Sequence, residues 1–418
     1  MTNKNIVHRL LEWFPRSRSE LVLASTPTAL AASGVTDPGR HFRHVHPVSD
    51  FEHPSTEKEL FELCRQFDVE RILSTGEREV LPAARLRQRL GLPGIDVPTA
   101  TAFRDKFVMK SFAAAAGIPV APMRRVEDTA ALRDFATEVG YPVVVKPLAR
   151  GGSAGIQVLV DAGDTAALIG GRDSATWREP MLAEAWIDGD FYHVNGLMTN
   201  GAVEWVQSSC KLYSDWFSVG FDAPYLVAML AESDPMADRL RIATAQILAA
   251  LPPVPHVCAF HAEIFHTPDD RLVLCEICCR ASGPAETIDM HEAVFGVNLH
   301  GASLLGQAGR WPQRSHYPAL GPRRGFARFP PARGVLRRIP DRCPLPNVLS
   351  YTATGECGRS YDGTDSLGPA VATMTYTCSG TSPVDVREKL REIEQWWEQN
   401  TEWENRTSGL PTTTVRLR

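Results

Sequence analysis

Apolar and polar positions along the chain alternate in two periods, and the succession of those periods divides it. LVLAS (21–25) reads as a buried strand, residues 56–67 as a helix, VERILST (69–75) as a second strand and residues 79–90 as a helix ending near Gly91. Strand and helix in regular succession predict a small parallel α/β unit. From Thr101 the pattern changes: FRDKFVMKSFAAAAGIPV predicts an alanine-rich helix with Phe107, Val108 and Phe112 on its apolar side, stopped by Gly117 and Pro119. Lys106 and Lys110 lie one turn apart on a common side. YPVVVKPLARGGSAGIQVLV predicts strand, glycine-rich turn and strand, and MLAEAWIDGDFYHVNGLMTNGAV two strands joined at Asp188-Gly189. Lys211 and Asp215 fall in a loop-like stretch, and residues 235–251 carry a helical period. In the tail, VATMTYTC (371–378) alternates as a strand, and Ser382-Pro383 opens a helix with Val386, Leu390, Ile393 and Trp397 on one stripe.

HAEIFHTPDDRLVLCEICCR (261–280) reads as a hairpin turning at Pro268-Asp269-Asp270-Arg271. A two-residue loop centred on Asp269-Asp270 sets Glu263 opposite Glu276. Directly opposed residues share a face, so His261, Glu263 and Phe265 join Leu274, Glu276, Cys278 and Arg280, while Ala262, Ile264, Cys275, Ile277 and Cys279 form an apolar underside. Two carboxylates with Cβ atoms about 5 Å apart repel unless something compensates. A hard divalent cation between oxygen ligands, with Arg280 handling an accompanying anion, is one answer; acids pointing into water is the other. The C-x-x-C spacing of Cys275 and Cys278 invites a zinc reading, but strand alternation separates the pair and no second pair follows.

The 418 residues exceed what one growing core accommodates, so two or three packed units are expected. A composition of 44% hydrophobic and 22% charged residues is that of an ordinary globular protein, and a net charge of -5 provides no general attraction to nucleic acid or anionic membrane. The N-terminal residues lack the apolar core of a signal peptide and no later run is long enough to span a bilayer, so a cytoplasmic location is expected. Nine irregularly spaced cysteines fit reduced thiols better than a disulfide framework.

Lys146 leaves its strand just before the glycine-rich turn, an arrangement suited to clamping a phosphate, although a surface hairpin with an extended lysine has the same pattern. Taken in order, an α/β unit, a helix lysine, a strand lysine before a glycine-rich loop, a hinge strand and a paired-strand acid site ending in arginine resemble the ATP-grasp superfamily over residues 70–310. H-x-E-x-F followed by C-E-I-x-x-R looks most like its carboxylate–amine ligases, the L-amino acid ligases and carnosine-synthase-like members.

The resemblance implies an α/β (α+β) ATP-grasp fold: an N-terminal parallel pre-domain (1–100), a small subdomain (101–185) and a large subdomain carrying the metal site (186–310) that enclose ATP, and a closing C-terminal subdomain (311–418). It implies that Lys106 and Lys146 hold phosphates, that Gly151, Gly152 and Ser153 close over them, and that Glu184, Ala185 and Ile187 contact adenine, with Asp190 near the ribose. Glu263 and Glu276 would bind Mg²⁺, or Mn²⁺ in its place, and Arg280 would contact phosphate or acyl-phosphate oxygens, with Arg280 and Lys146 as the catalytic cations. Many members have asparagine where this chain has Cys278, and sulfur is a poor magnesium ligand. The implied activity joins a carboxylate to an amine, with amino acids as the expected substrates, through an acyl phosphate, with ADP released and a homodimer expected. His193, Lys211, Asp215, His261 and His291 are polar candidates for substrate contact. Purine-pathway ligation, biotin-type carboxylation and a nucleotide-binding regulatory protein without turnover are the alternatives.

Overall fold

The valine run Val143–Pro147 is buried throughout, as a strand covered on both faces requires. In the computed structural model, which describes residues 1–170, 176–213, 223–312, 314, 316–364, 368–380 and 382–405, this strand lies between Thr176–Ala185 and Gln157–Leu159 in a four-stranded antiparallel sheet whose other edge is Met123–Asp128. Val143 and Val145 pack under the helix Thr129–Val139 with Leu132 and Phe135, whereas Val144 turns to Phe191, Phe265, Val273 and Cys275. Period-two alternation therefore sends Lys146 to the side of Val144, toward the second sheet.

That second sheet has eight strands in the order Leu272–Cys278, Cys258–His266, Asp190–Thr199, Ala202–Lys211, Tyr225–Met229, Arg324–Phe329, Ala372–Thr377 and Val348–Ala353. Strands from both sides of residue 310 thus share one sheet. The helix Pro383–Asn400 docks through the expected stripe, with a capping box at Ser382 and Trp397 stacked on Phe329 at 4.0 Å between ring centroids. Near the N-terminus, Val22–Ser25 pairs in parallel with His44–Pro47, flanked by the helices Pro54–Gln66 and Glu77–Leu90.

Four local expectations are corrected. Residues 69–75 join no sheet: side chains take up their backbone groups, with Arg87 Nε donating to the Ile72 carbonyl at 3.1 Å and Gln307 bonding both Ser74 N and Ser74 O at 2.9 Å. The helix Lys106–Ala115 buries Lys106, Met109, Lys110 and Ala113 and leaves Phe112 41% exposed, because acids facing the helix hold its lysine side inward. Lys211 is the last residue of a strand and is buried; Asp215 lies outside the described residues.

The fourth correction concerns the hairpin. Its loop has three residues, Pro268 to Asp270, closed by Thr267 N donating to the Arg271 carbonyl at 2.9 Å, with Asp270 at φ +63°. Aspartate tolerates that left-handed conformation through local hydrogen bonding. The odd loop pairs Ile264 with Leu274 and Phe265 with Val273, one residue away from the expected register. A bulge at Cys275 then restores it, so Glu263 does face Glu276. Leu274 consequently belongs to the underside with Ala262 and Ile264, its N–H bonded to the Pro119 carbonyl at 2.9 Å, and Cys275 moves to the face of Phe265.

Candidate functional site

Between the two sheets lies a cleft of about 290 Å³. Lys106, Lys146, Gly151, Gly152 and Ser153 line it together with Glu263, Glu276 and Arg280. The glycine loop folds close to the N-terminal unit: a Cβ at Gly151 would come within 3.2 Å of Glu77 Cγ, and Gly152 sits at φ +66°. Lys106 Nζ donates to the Arg150 carbonyl at 2.7 Å and reaches Glu276 Oε2 at 3.2 Å, so the helix lysine ties the loop to the acid hairpin. Asp105 caps that helix through Phe107 N and Val108 N, which anchors the lysine's backbone.

Glu184 lies below the cleft. Its buried carboxylate is ion-paired to both Lys110 and Lys146, each only 2% exposed at the side chain. Burial works to raise this carboxyl, but the two ammonium groups outweigh it and hold it at about 2. Ala185, Ile187 and Asp190 also lie outside the cleft lining. Ile187 joins Trp186, Ile156 and Val158 around the Val144–Phe265 cluster, and Asp190 pairs with Arg387 at 2.9 Å.

Arg280 is held by Glu77, a residue that sequence reasoning missed. Burial favours the neutral acid there, yet Arg280, Arg104 and Lys106 keep Glu77 at about 2. Its only signal was position, the first residue of a helix following an apolar run of the α/β unit. Arg104 bridges Glu77 at 3.2 Å and Glu52 at 2.9 Å, so the N-terminal unit fixes the arginine end of the cleft. Arg328, also in the lining, binds Glu286 through Nη1 at 2.9 and 3.0 Å.

Of the polar candidates, His261 lines the cleft, with Nε2 at 3.3 Å from Glu263 Oε1 and Nδ1 at 2.9 Å from Asn195 Oδ1. His193 lies behind it, 3.8 Å from the same Glu263 oxygen. Lys211 Nζ rests 3.7 Å from the Tyr225 ring centroid, and burial pushes this ammonium down to about 7. His291 is buried under Trp205 and bonds the Thr287 carbonyl.

Burial opposes ionisation of Glu263 too, but the His261 hydrogen bond and the field of His193 and Lys211 hold its carboxyl well below the usual range. Two opposed acids, one of them firmly anionic, fit a divalent ion that takes its remaining ligands from phosphate and water. Cys278 supplies no ligand of that kind: burial pushes its thiol well above the usual range, so it stays protonated, 4.0 Å from Glu276 Oε1. Cys275, brought round by the bulge, lines the cleft instead, its thiol pushed by burial to about 12.

Residues 105–187 match the family described as the carbamoyl-phosphate synthase L chain, ATP binding domain. The chain is 26% identical over 306 residues to an L-arginine-specific L-amino acid ligase of Bacillus subtilis, covering 71% of each protein, and 25% identical over 197 residues to the alanine–anticapsin ligase of Bacillus subtilis strain 168, covering 41% of this chain and 39% of that enzyme. A match at 29% identity to the Sinorhizobium fredii protein y4rH covers 29% of that protein. An L-amino acid ligase structure from Bacillus licheniformis superposes with a TM-score of 0.66 over 96% of this chain and 97% of that one, at 14% identity, which speaks to the fold. In domain match, relatives and fold, the chain is thus similar to the ATP-grasp carboxylate–amine ligases.

Proposed function

We propose that the protein is an ATP-dependent ligase that joins a carboxylate to an amine, both from amino acids, releasing ADP and phosphate. The observation that carries this reading is the convergence of Lys106, Lys146, the 151–153 loop, Glu263, Glu276 and Arg280 on one cleft from distant parts of the chain. Glu263 and Glu276 would hold a magnesium ion, which would supply positive charge to offset that of the phosphates. Lys106 and Lys146 would hold the phosphates, and the loop, already tied to Lys106 through the Arg150 carbonyl, would close over them and exclude water. The apolar group that includes Ile156 and Ile187 offers a surface for a base, while Glu184 serves by fixing Lys146 and Lys110.

Arg280, oriented by Glu77, would face the oxyanion that develops as the substrate carboxylate attacks the terminal phosphate, and again as the amine displaces phosphate from the acyl phosphate. Phosphoryl transfer of this kind requires positioning and charge more than a protein nucleophile, which suits a cleft whose two nearest thiols are protonated. Subdomain boundaries near 100, 185 and 310, a homodimer and a cytoplasmic location belong to the same reading; among the described residues no helix is long and apolar enough to cross a membrane.

The test is phosphate release from ATP and magnesium across a panel of amino acids, singly and in pairs, with mass spectrometry of the products. ADP with a dipeptide is the expected result. AMP would replace ligation through an acyl phosphate with adenylation, and nucleotide binding without turnover in any pair would sink the ligase reading.

A further inference from the structure

Around Glu263, two in the cleft lining and His193 behind it, three side chains form a cluster whose chemistry differs from that of a magnesium site. His193 and Glu263 are directly paired residues on Asp190–Thr199 and Cys258–His266, and His261 stands two residues before Glu263 opposite Asn195. One ligand atom from each of His193, His261 and Glu263 lies within 4.8 Å of the other two, and all three residues are buried. Two adjacent interior strands of the eight-stranded sheet carry them, so the backbone register itself holds the cluster together.

The hydrogen bonds indicate which atoms face inward. Asn195 Oδ1 accepts from His261 Nδ1 at 2.9 Å, which places a ring proton on Nδ1 and leaves Nε2 facing Glu263 Oε1 at 3.3 Å. Two acceptors at that distance need a positive charge between them, either a second ring proton or a metal. An imidazole fixed by a partner on its other nitrogen is the usual arrangement of a metal-bound histidine. Around a tetrahedral ion, neighbouring donors lie about 3.3 Å apart, so the cluster needs only side-chain adjustment to close.

We propose that His193, His261 and Glu263 form a site for a borderline divalent transition ion of the zinc and cobalt class, next to the cleft's magnesium position and sharing Glu263 with it. Two imidazoles and one carboxylate favour such an ion over magnesium, which prefers oxygen donors throughout. The ion would pin the Glu263 carboxylate at the base of the cleft. This inference goes beyond the ligase reading and does not rest on it, since neither nucleotide nor amino acid enters its test.

The test uses the full chain, stripped with chelator and titrated with Co²⁺ without nucleotide, followed by visible d–d absorption and equilibrium dialysis. One equivalent of Co²⁺ with d–d bands is expected, displaced by Zn²⁺ and retained in a large excess of Mg²⁺. The bands should disappear in His261→Gln and His193→Gln and persist in Glu276→Gln. Failure of the wild-type protein to bind Co²⁺, displacement by Mg²⁺, or bands that survive both histidine substitutions would overturn the proposal. Because the magnesium competition uses wild-type protein alone, it decides the matter even if a histidine variant does not fold.

Discussion

Two carboxylates flank the cleft with lysines beside them, and they differ in what the lysines leave open. Glu184, below the cleft, is closed off by Lys110 and Lys146, and all three side chains are 2% exposed. Glu276, in the cleft wall, has Lys106 at 3.2 Å and keeps 15% of its side chain exposed. The first cluster is a completed ion network, whose worth lies in what its loss would uncover. The second is incomplete by design of its surroundings: its carboxylate can exchange a lysine contact for a ligand without emptying a buried site. Similar residue types therefore differ in their surroundings, one enclosed by the lysines it pairs with and the other left open toward the cleft.

The largest effect should come from breaking the closed cluster. Glu184→Gln leaves two buried ammonium groups facing each other, and we expect a loss of about 3–5 kcal/mol in denaturant unfolding. A loss below about 1 kcal/mol would put Glu184 in the same category as Glu276. In the open cluster, Glu276→Gln should keep the unfolding midpoint near wild type while ATP turnover falls by roughly 10²–10³-fold, a barrier change of about 3–4 kcal/mol. Undiminished ADP release would remove Glu276 from the metal-binding role.

Acid should separate the clusters from the rest of the molecule. Glu184 and Glu77 both have folded-state values of about 2, below the ordinary 4.5. Their stabilisation is complete above pH 4.5 and is lost as pH falls toward 2, contributing at most roughly 3 kcal/mol each. The wild-type unfolding free energy should decline across that window, and Glu184→Gln should decline less steeply; equal slopes would contradict the assignment. The smallest effect belongs to the lysine helix. Phe112→Ser, on the exposed side, should alter stability by less than about 0.5 kcal/mol by thermal melting. A core-sized loss would restore the apolar face expected from sequence.

That helix shows where sequence reading succeeds and where it runs out. Its stop before Gly117 and the shared side of Lys106 and Lys110 were legible from local pattern. The side turned inward was not, because two acids over seventy residues away, Glu184 and Glu276, make burying lysine tolerable. The hairpin was right at Glu263 and Glu276 although its loop was assigned one residue too short, since the bulge at Cys275 offsets the difference. The faces of Leu274 and Cys275, which lie between loop and bulge, were accordingly wrong. Residues 69–75 had strand composition but found their hydrogen-bond partners in Arg87 and Gln307, and such partners leave no periodic trace. Glu77 escaped for the same reason: its meaning arises only when Arg280 is folded against it.

The offset at Cys275 has a practical side. The exposed tip, Pro268 to Asp270, lies beyond the bulge, and the pairing of Glu263 with Glu276 is set on the other side of it. The tip at residues 268–270 is thus a natural insertion port, where an affinity tag or reporter peptide could be displayed while the acid pair stays in register.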